Sequence, residues 1–318
     1  MAGITFDHAD LPIGDVYLPG HFPHGLPSPA EVRVKAAQDG IDTRNTFRPD
    51  PVLYPELGLI IKWGRDITIA EGQCLWFMSK HLRGVVPVPE LYGWTVDSDQ
   101  TFLYMQLVNA DTLQGRWNDM SEDDKLDICA QLRDMMAAWR RIQCPGPTSN
   151  DSRPRTILST VMSWLRFWRP APAIRLGQIC GQALRDILFY NAGQYPAGPF
   201  DNVHSFHDWL AKLACANDAR KDVEELSGLE DSVAVTFTHG DLDHSNILIS
   251  KKPDGPPKIV AIIDWHQSGW YPEPWEWLKA QMVAGHSSQW TKEYLPRTLR
   301  PARYEYHYSW EYIKMATI

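Results

Sequence analysis

Hydrophobic and polar residues alternate, or β-branched residues cluster, in several short segments of the first third of the chain. This pattern predicts β-strands. The predicted strands are Leu59–Trp63, Leu91–Val96 and Thr101–Val108. Two helices are predicted here as well, one starting at Ser28 and one starting after Thr68 and ending near Arg83. Each start carries a capping-box pattern, with Glu31 and Glu71 as the capping acids.

Helical spacing dominates the rest of the chain. The predicted helices run from Ser121 to about Gln143, from Ser205 onward, and from just after Pro272 to about Ala284, and the aromatic tail 303–318 is expected to pack. Residues 144–204 give the weakest pattern. Within them, Trp164, Phe167 and Trp168 either line a substrate cleft or belong to the core. The change in pattern predicts an α+β fold of two lobes, with residues 1–107 carrying an antiparallel sheet and residues 108–318 mainly helical.

One segment of the second lobe, residues 238–265, places three polar residues in a pattern. A strand at 233–237 ends at a Gly-Asp turn, and a loop then leads to a predicted hairpin of strands 247–250 and 258–263. Because the residues that flank a hairpin lie side by side, Asn246 and Asp264 are expected to be neighbours, with Asp241 on the loop that reaches the same end. The alternative is that the three residues occupy ordinary turns.

These three side chains suit one kind of chemistry. An amide oxygen and a carboxylate are ligands that Mg²⁺ accepts beside phosphate oxygens, and a second carboxylate suits a general base. Phosphoryl transfer needs little more than these groups. Asp241, Asn246 and Asp264 are therefore candidate site residues.

Composition narrows the class of protein. The 318 residues are enough for two lobes, and 44% hydrophobic with 22% charged residues is typical of a globular protein. A net charge of −8 argues against a nucleic-acid partner. Five cysteines show no metal-ligand spacing, and neither a signal peptide nor an apolar run long enough for a membrane span is visible. We therefore expect a cytoplasmic protein without a membrane partner. The sequence does not predict its oligomeric state.

One segment of the chain consists of His239-Gly240-Asp241, four further residues, Asn246, a predicted hairpin and Ile263-Asp264-Trp265. This segment resembles the aminoglycoside phosphotransferase and choline kinase family, which has a protein-kinase-like fold. The continuation at 269–276 is similar to fungal members of that family. The resemblance implies ATP and Mg²⁺ as cofactors and a small-molecule hydroxyl as the acceptor of the γ-phosphoryl group. It also implies that Asp241 is catalytic and that Asn246 and Asp264 bind the metal.

The same resemblance implies nucleotide contacts in the first lobe. Lys62 would contact the α- and β-phosphates. Glu71 has two interpretations, as the helix cap or as the ion-pair partner of Lys62. The backbone carbonyl of Gln106 and the backbone N–H of Val108 would face the adenine edge.

Some features depart from the family pattern. The stretch 45–56, where a phosphate-covering loop is expected, has three prolines and no glycine, and His266 follows Ile-Asp-Trp where fungal relatives often have Glu. Two alternatives therefore stay open, a nucleotide-binding protein without catalysis and an enzyme with different chemistry in the same cleft. Protein-kinase activity is not expected, because no Ala-Pro-Glu element follows. Asp243, Glu273 and Glu276 either favour a cationic acceptor or are solvated surface charges.

Overall fold

The structure is a computed structural model that describes residues 3–5, 8–20, 22, 25–144, 175–192, 196–217, 229–251, 255–285 and 288–317. Its N-terminal part contains a five-stranded sheet in which every pair of neighbours is antiparallel. The strands are β1 (Val16–Tyr17), β2 (Val52–Tyr54), β3 (Leu59–Gly64), β4 (Leu91–Asp97) and β5 (Gln100–Gln106). Their spatial order is β1–β4–β5–β3–β2. The three strands predicted from the sequence are confirmed, and two short ones were missed.

Helices lie on both faces of this sheet. Helix α1 (Pro29–Gln38) contacts β2, and α2 (Ile69–His81) contacts β4 and β5. The alternation along β3 sends Leu59, Ile61 and Trp63 into the cluster shared with α1. Lys62 is thereby left on the opposite face, as predicted. The capping box of α1 is confirmed, since Ser28 Oγ accepts from the Glu31 backbone N–H and Glu31 accepts from the Ser28 N–H at 2.7 Å.

The C-terminal part is mainly helical. In its described residues the α-helices are α3 (Leu113–Arg116), α4 (Glu122–Trp139), α5 (Val203–Asn217), α6 (Trp275–Ala284), α7 (Leu295–Thr298) and α8 (Tyr304–Thr317). The apolar stripe of α4 is buried as predicted, and the tail packs through Trp310 and Ile313. Helix α5 begins before Ser205, because the side chain of Asn202 accepts from the Ser205 N–H at 2.8 Å.

Two small sheets frame the segment that carries the candidate site. The predicted hairpin is confirmed as β8 (Ile247–Ile249) and β9 (Ile259–Ile262), and a two-residue strand β6 (Asp111–Thr112) joins it. Strand β7 (Val235–Thr238) pairs with β10 (Gly269–Pro272), a strand that the sequence analysis missed. Because Thr238 at the end of β7 pairs with Gly269 at the start of β10, the two ends of the segment 239–268 lie close together.

The described chain thus has the two-lobed α+β architecture that the pattern predicted. Residues Trp164, Phe167 and Trp168 lie outside the described residues, so both interpretations of them stay predictions. Within the described ranges, each helix is too short or too polar to cross a lipid bilayer.

Candidate functional site

Lys62 connects the two lobes through its ammonium group. Its Nζ donates to Glu71 Oε1 at 2.6 Å and to Asp264 Oδ1 at 2.7 Å. Burial by itself would lower the pKa of Lys62, but the two carboxylates outweigh it and the net shift of the pKa is upward. Burial would likewise raise the pKa of Asp264, yet Lys62 and His266 hold that pKa well below its usual range. The amine is therefore protonated and the Asp264 carboxyl ionised at neutral pH.

Glu71 serves as the ion-pair partner of Lys62, and the prediction that it caps α2 is wrong. Thr68 makes no side-chain capping hydrogen bond, and Glu71 is only 1% exposed. A capping glutamate must turn back toward the N-cap N–H. Here the first turn of α2 faces β3, so the carboxylate meets an ammonium group in a buried position, where leaving either charge unpaired is costly.

Asp264 has an unusual backbone conformation. Its φ of 65° and ψ of 56° lie in the left-handed region, which costs an L-residue about 1–2 kcal/mol. The turn is fixed from both sides, since Ile263 N donates to Asn246 O at 3.0 Å and Trp265 Nε1 donates to Ile262 O at 2.9 Å. Strain that is held in place by its surroundings is typical of functional sites.

Asp241 and Asn246 are in direct contact. Asn246 Nδ2 donates to the Asp241 backbone carbonyl at 2.8 Å and to its Oδ2 at 3.2 Å. In the described part of the chain, the amide oxygen of Asn246 has no hydrogen bond, so it remains open to a ligand. Burial raises the pKa of Asp241, the Lys279 ammonium opposes that rise, and the Asp264 carboxylate adds to it. We call Lys62, Glu71, Asp241, Asn246 and Asp264 the polar centre.

A buried acid holds the loop that carries Asp241. Glu276 is fully buried and accepts from the backbone N–H groups of His239 at 2.7 Å and Gly240 at 3.0 Å. Gly240 has a φ of 82°, and a Cβ there would lie 2.8 Å from Gln267 O, so glycine is required. His239 accepts from the Asp241 N–H at its Nδ1 and donates from its Nε2 to Ile263 O at 3.0 Å. Burial lowers the pKa of His239, which keeps the ring neutral in this role.

Three acids near Asp241 in the sequence have partners within the protein, namely Asp243, Glu273 and Glu276. Glu276 is a structural anchor, so both sequence interpretations of it are wrong. Glu273 lies 3.4 Å from Arg140 Nη1. Asp243 Oδ1 accepts from the Ser245 N–H at 2.9 Å and from its hydroxyl at 2.7 Å. The sequence showed where these acids stand in the chain but not that each already has a partner.

Arg48 and His266 join the polar centre, and the sequence analysis assigned neither a role. Arg48 Nη1 lies 2.9 Å from His266 Nε2, and its Nη2 lies 3.4 Å from both carboxylate oxygens of Asp264. Because an arginine only donates, His266 Nε2 accepts, and its Nδ1–H donates to Asp264 Oδ1 at 2.7 Å. The glycine-poor loop thus places a guanidinium group at the site. Arg48 gave no signal in the sequence, whereas His266 was visible as a departure from the family pattern.

A cleft of 1080 Å³ opens at Asp241 and His266 and continues away from Lys62. Its apolar lining is formed by Phe47, Leu184, Ile187, Phe189, Tyr190 and Met282, which we call the apolar wall. Two contacts cross the cleft mouth. Arg185 Nη1 donates to Asp66 O at 2.6 Å and to its Oδ1 at 2.9 Å, and the rings of Phe47 and Tyr190 meet edge to face at 5.6 Å.

The segment expected to face adenine follows β5. Gln106 N donates to Glu90 O at 2.9 Å, and Leu107 N donates to Gly58 O at 2.7 Å. The N–H of Val108 donates a hydrogen bond to none of the described residues. A donor at the end of a strand is thus available to a ligand, as the prediction for Val108 requires, and its role stays a prediction.

The oxygen atoms of the polar centre fit a hard cation that takes few protein ligands. Within the described residues, no three His, Cys, Asp or Glu side chains form a group that could hold a metal. Mg²⁺ does not need one, since it commonly takes one or two protein oxygens and completes its shell with phosphate and water. The open amide oxygen of Asn246 and the ionised Asp264 meet that need.

The paired lobes, the Lys62–Glu71 ion pair and the loop-hairpin-turn arrangement of Asp241, Asn246 and Asp264 define a protein-kinase-like fold. Residues 70–276 match the family model described as "Phosphotransferase enzyme family". The chain belongs to this family. A search of curated proteins found no match.

Solved structures to which the chain is similar include three aminoglycoside phosphotransferase structures. An aminoglycoside-3'-phosphotransferase of type VIII shares 15% identity over 84% of each chain, with a TM-score of 0.47. A streptomycin–ATP–APH(2")-IIa ternary complex shares 11% identity over 80% of this chain and 76% of that one, with a TM-score of 0.46. A gentamicin–APH(2")-IIa complex shares 11% identity over 91% and 85%, with a TM-score of 0.47.

Proposed function

We propose that the protein transfers the γ-phosphoryl group of ATP, together with Mg²⁺, to a hydroxyl group of a small molecule. The observation that carries this proposal is the position of the Lys62 ammonium between Glu71 and Asp264, in the same site as the half-buried Asp241, which has no ion pair among the described residues. Membership of the phosphotransferase family supports the same reaction class.

In this proposal one lobe binds the nucleotide and the other binds the acceptor and carries the catalytic loop. Residues 1–107 form the nucleotide-binding lobe, in which Lys62 contacts the α- and β-phosphates and Glu71 keeps its side chain extended. Gln106, through its carbonyl, and Val108, through its N–H, contact the adenine edge. Residues 108–318 form the helical lobe that carries the catalytic loop and the acceptor site.

Asp241 is the proposed catalytic base. The acceptor hydroxyl oxygen forms a bond to the γ-phosphorus, the bond between that phosphorus and the β–γ bridging oxygen breaks, and ADP leaves. Asp241 orients the hydroxyl group and accepts its proton. The bonds from Asn246 and from the His239-Gly240 loop hold Asp241 in place for this purpose.

Asn246 and Asp264 are the proposed metal ligands. A bound Mg²⁺ supplies positive charge that offsets the charge of the phosphate oxygens. Arg48 lies 3.4 Å from both oxygens of Asp264, so two positive charges would compete for one carboxylate. We therefore expect Arg48 to leave Asp264 when the nucleotide binds and to contact phosphate, for which its planar guanidinium is suited.

Titration calorimetry with ATP, with and without Mg²⁺, tests the binding part of this proposal. We expect Asp264→Asn to weaken Mg²⁺-dependent ATP binding by about tenfold or more and higher Mg²⁺ to restore part of it, because the ion loses a charged ligand. Lys62→Met should weaken ATP binding at every Mg²⁺ concentration. Asp241→Asn is the matched control and should bind ATP as the wild type does.

A screen of hydroxyl compounds for ADP release then tests the transfer step. Product formed by the wild type and not by Asp241→Asn would support phosphoryl transfer with Asp241 as base. ATP binding without ADP release for any acceptor would favour a nucleotide-binding protein without catalysis. No binding at millimolar ATP would reject both functions.

A further inference from the structure

The apolar wall is exposed at the mouth of the cleft that ends at Asp241. Ile187 is 62% exposed and Tyr190 is 67% exposed, and Phe47, which faces Tyr190 across the cleft, is 42% exposed. These side chains lie next to the proposed base and not on a remote surface. Apolar and aromatic groups that remain in contact with water in a concave site gain stability when a ligand with an apolar surface covers them.

The charged residues that line the cleft are already paired with other protein groups. Asp66 binds Arg185, and Arg48 binds His266 and Asp264. Asp186 has a fully buried side chain and accepts from Lys279 Nζ at 2.7 Å, Trp275 Nε1 at 3.1 Å and the Leu188 N–H at 3.0 Å. Among the described lining residues, Asp241 is the one carboxylate without an ion pair.

A ligand with several positive charges needs several free carboxylates. Among the described residues that line this cleft it would find one, and that one has to accept the proton of the acceptor hydroxyl. Asp243, Glu273 and Glu276 are not among the described residues that line the cleft, so they add no free carboxylate to it.

We propose that the acceptor is an uncharged molecule with an aromatic or apolar body, which packs against Phe47, Ile187 and Tyr190 and presents its hydroxyl group to Asp241. This inference rests on the proposed phosphotransferase function and specifies its substrate class. A volume of 1080 Å³ accommodates a molecule of several fused or linked rings. Tyr190 and Ile187 are then specificity-determining residues.

The test compares two probes by calorimetry, 2-(2-naphthyl)ethanol as the uncharged aromatic alcohol and gentamicin as the polycation. We expect the naphthyl alcohol to bind the wild type and gentamicin to bind much more weakly. Tyr190→Ser should weaken binding of the naphthyl alcohol by about tenfold, because it removes most of an aromatic contact surface. Tyr304→Ser is the matched control, since Tyr304 is 80% exposed on α8 and outside the cleft lining.

A second pair of variants tests the charge argument. Ile187→Glu places a free carboxylate on the apolar wall, so it should weaken binding of the naphthyl alcohol and strengthen binding of gentamicin. Ile13→Glu, at a 78% exposed site outside the cleft lining, should change neither. Thermal unfolding of all four variants shows whether they remain folded.

Tighter binding of gentamicin than of the naphthyl alcohol by the wild type would overturn the inference. An equal loss in Tyr190→Ser and Tyr304→Ser would overturn it as well. These results differ from a failure of the proposed function, which would appear as absent ATP binding. Probe binding is measured without nucleotide, so the chemical class of ligand that the cleft takes is decided in either case.

Discussion

The polar centre and the apolar wall face the same cleft but are built on different principles. In the polar centre, each side chain is fixed by ion pairs or hydrogen bonds of 2.6–3.4 Å to atoms of other elements. In the apolar wall, Phe47, Ile187 and Tyr190 are exposed without such partners, whereas Leu184 and Phe189 are buried behind the cleft surface. A site that binds phosphate requires charged groups at defined distances, whereas an apolar contact requires only apolar surface. This difference explains why the residues of the polar centre could be predicted from the sequence and those of the apolar wall could not.

The two regions also meet beneath the cleft. Lys279 on α6 forms an ion pair with Asp186, which precedes Ile187 of the apolar wall. Burial raises the pKa of Asp241 in the polar centre, and the Lys279 ammonium group opposes that rise. Helix α6 also carries Glu276, which anchors the His239-Gly240 loop. One helix therefore positions both regions, and variants can separate their contributions.

The largest effect is expected from Asp241→Asn in the polar centre. The variant should lower turnover by about 10²–10⁴-fold, the usual contribution of a positioned base, since the amide keeps the shape of the side chain but cannot accept the proton. KM for the acceptor should change little, because the apolar wall is unaltered. Steady-state kinetics with any acceptor found in the screen measures both constants. Full activity of the variant would show that another group is the base.

The next effect concerns the support of the apolar wall. Lys279→Met should lower the free energy of unfolding by about 3–5 kcal/mol, because it leaves the buried Asp186 carboxylate without its counter-charge. Lys279→Met combined with Asp186→Asn should recover part of that loss, since no buried charge is left unpaired. Urea denaturation measures all three proteins. A single variant as stable as the wild type would contradict a stabilising ion pair between Lys279 and Asp186.

The sequence predicted the polar centre well because its residues follow local rules. The hairpin β8–β9 has turn residues between two apolar runs, and it places Asn246 and Asp264 on adjacent chain segments as expected. Lys62 was placed on the correct face by simple alternation along β3. The catalytic and metal-binding roles of these residues remain proposals, which the experiments above test.

Other features depend on contacts distant in sequence and gave little local signal. Strand β10 is a strand because β7 pairs with it, although Gly269-Trp270-Tyr271-Pro272 has weak strand character by itself. Arg48 reaches Asp264 across 216 positions of the chain. Glu71 matched a capping box, but the nearby Lys62 ammonium attracted its carboxylate instead. Four residues of the apolar wall, Leu184, Ile187, Phe189 and Tyr190, lie in a stretch without clear periodicity.

A smaller effect tests whether the two sides of the cleft mouth stabilise each other. Phe47 and Tyr190 are in edge-to-face contact at 5.6 Å, although both are exposed. A double-mutant cycle with Phe47→Leu and Tyr190→Leu should give a coupling free energy of about 0.5–1.5 kcal/mol in urea denaturation. A cycle that combines Phe47→Leu with Tyr304→Leu is the control and should give none. Equal coupling in both cycles would contradict a direct ring contact.

The smallest effect we expect is a difference in the pH dependence of stability between the two acids of the polar centre. Burial raises the folded-state pKa of Asp241, so the ionised carboxylate destabilises the fold, and stability falls as pH rises from the unfolded-state pKa through the folded-state pKa. Asp264 behaves in the opposite way. Burial would raise the pKa of Asp264, but Lys62 and His266 lower it. The ionised Asp264 carboxylate therefore stabilises the fold above the unfolded-state pKa of about 3.9, and this stabilisation is lost as pH falls through the folded-state pKa.

At pH 7, Asp241→Asn should therefore raise the free energy of unfolding while it abolishes most turnover, and Asp264→Asn should lower the free energy of unfolding. Urea denaturation from pH 3.5 to pH 8 measures both differences. The Asp241 difference should shrink toward the acid end, whereas the Asp264 difference should stay nearly constant until pH falls below about 3.9. If Asp241→Asn is less stable than the wild type at pH 7, the ionised Asp241 carboxylate stabilises the folded state, and this prediction is wrong.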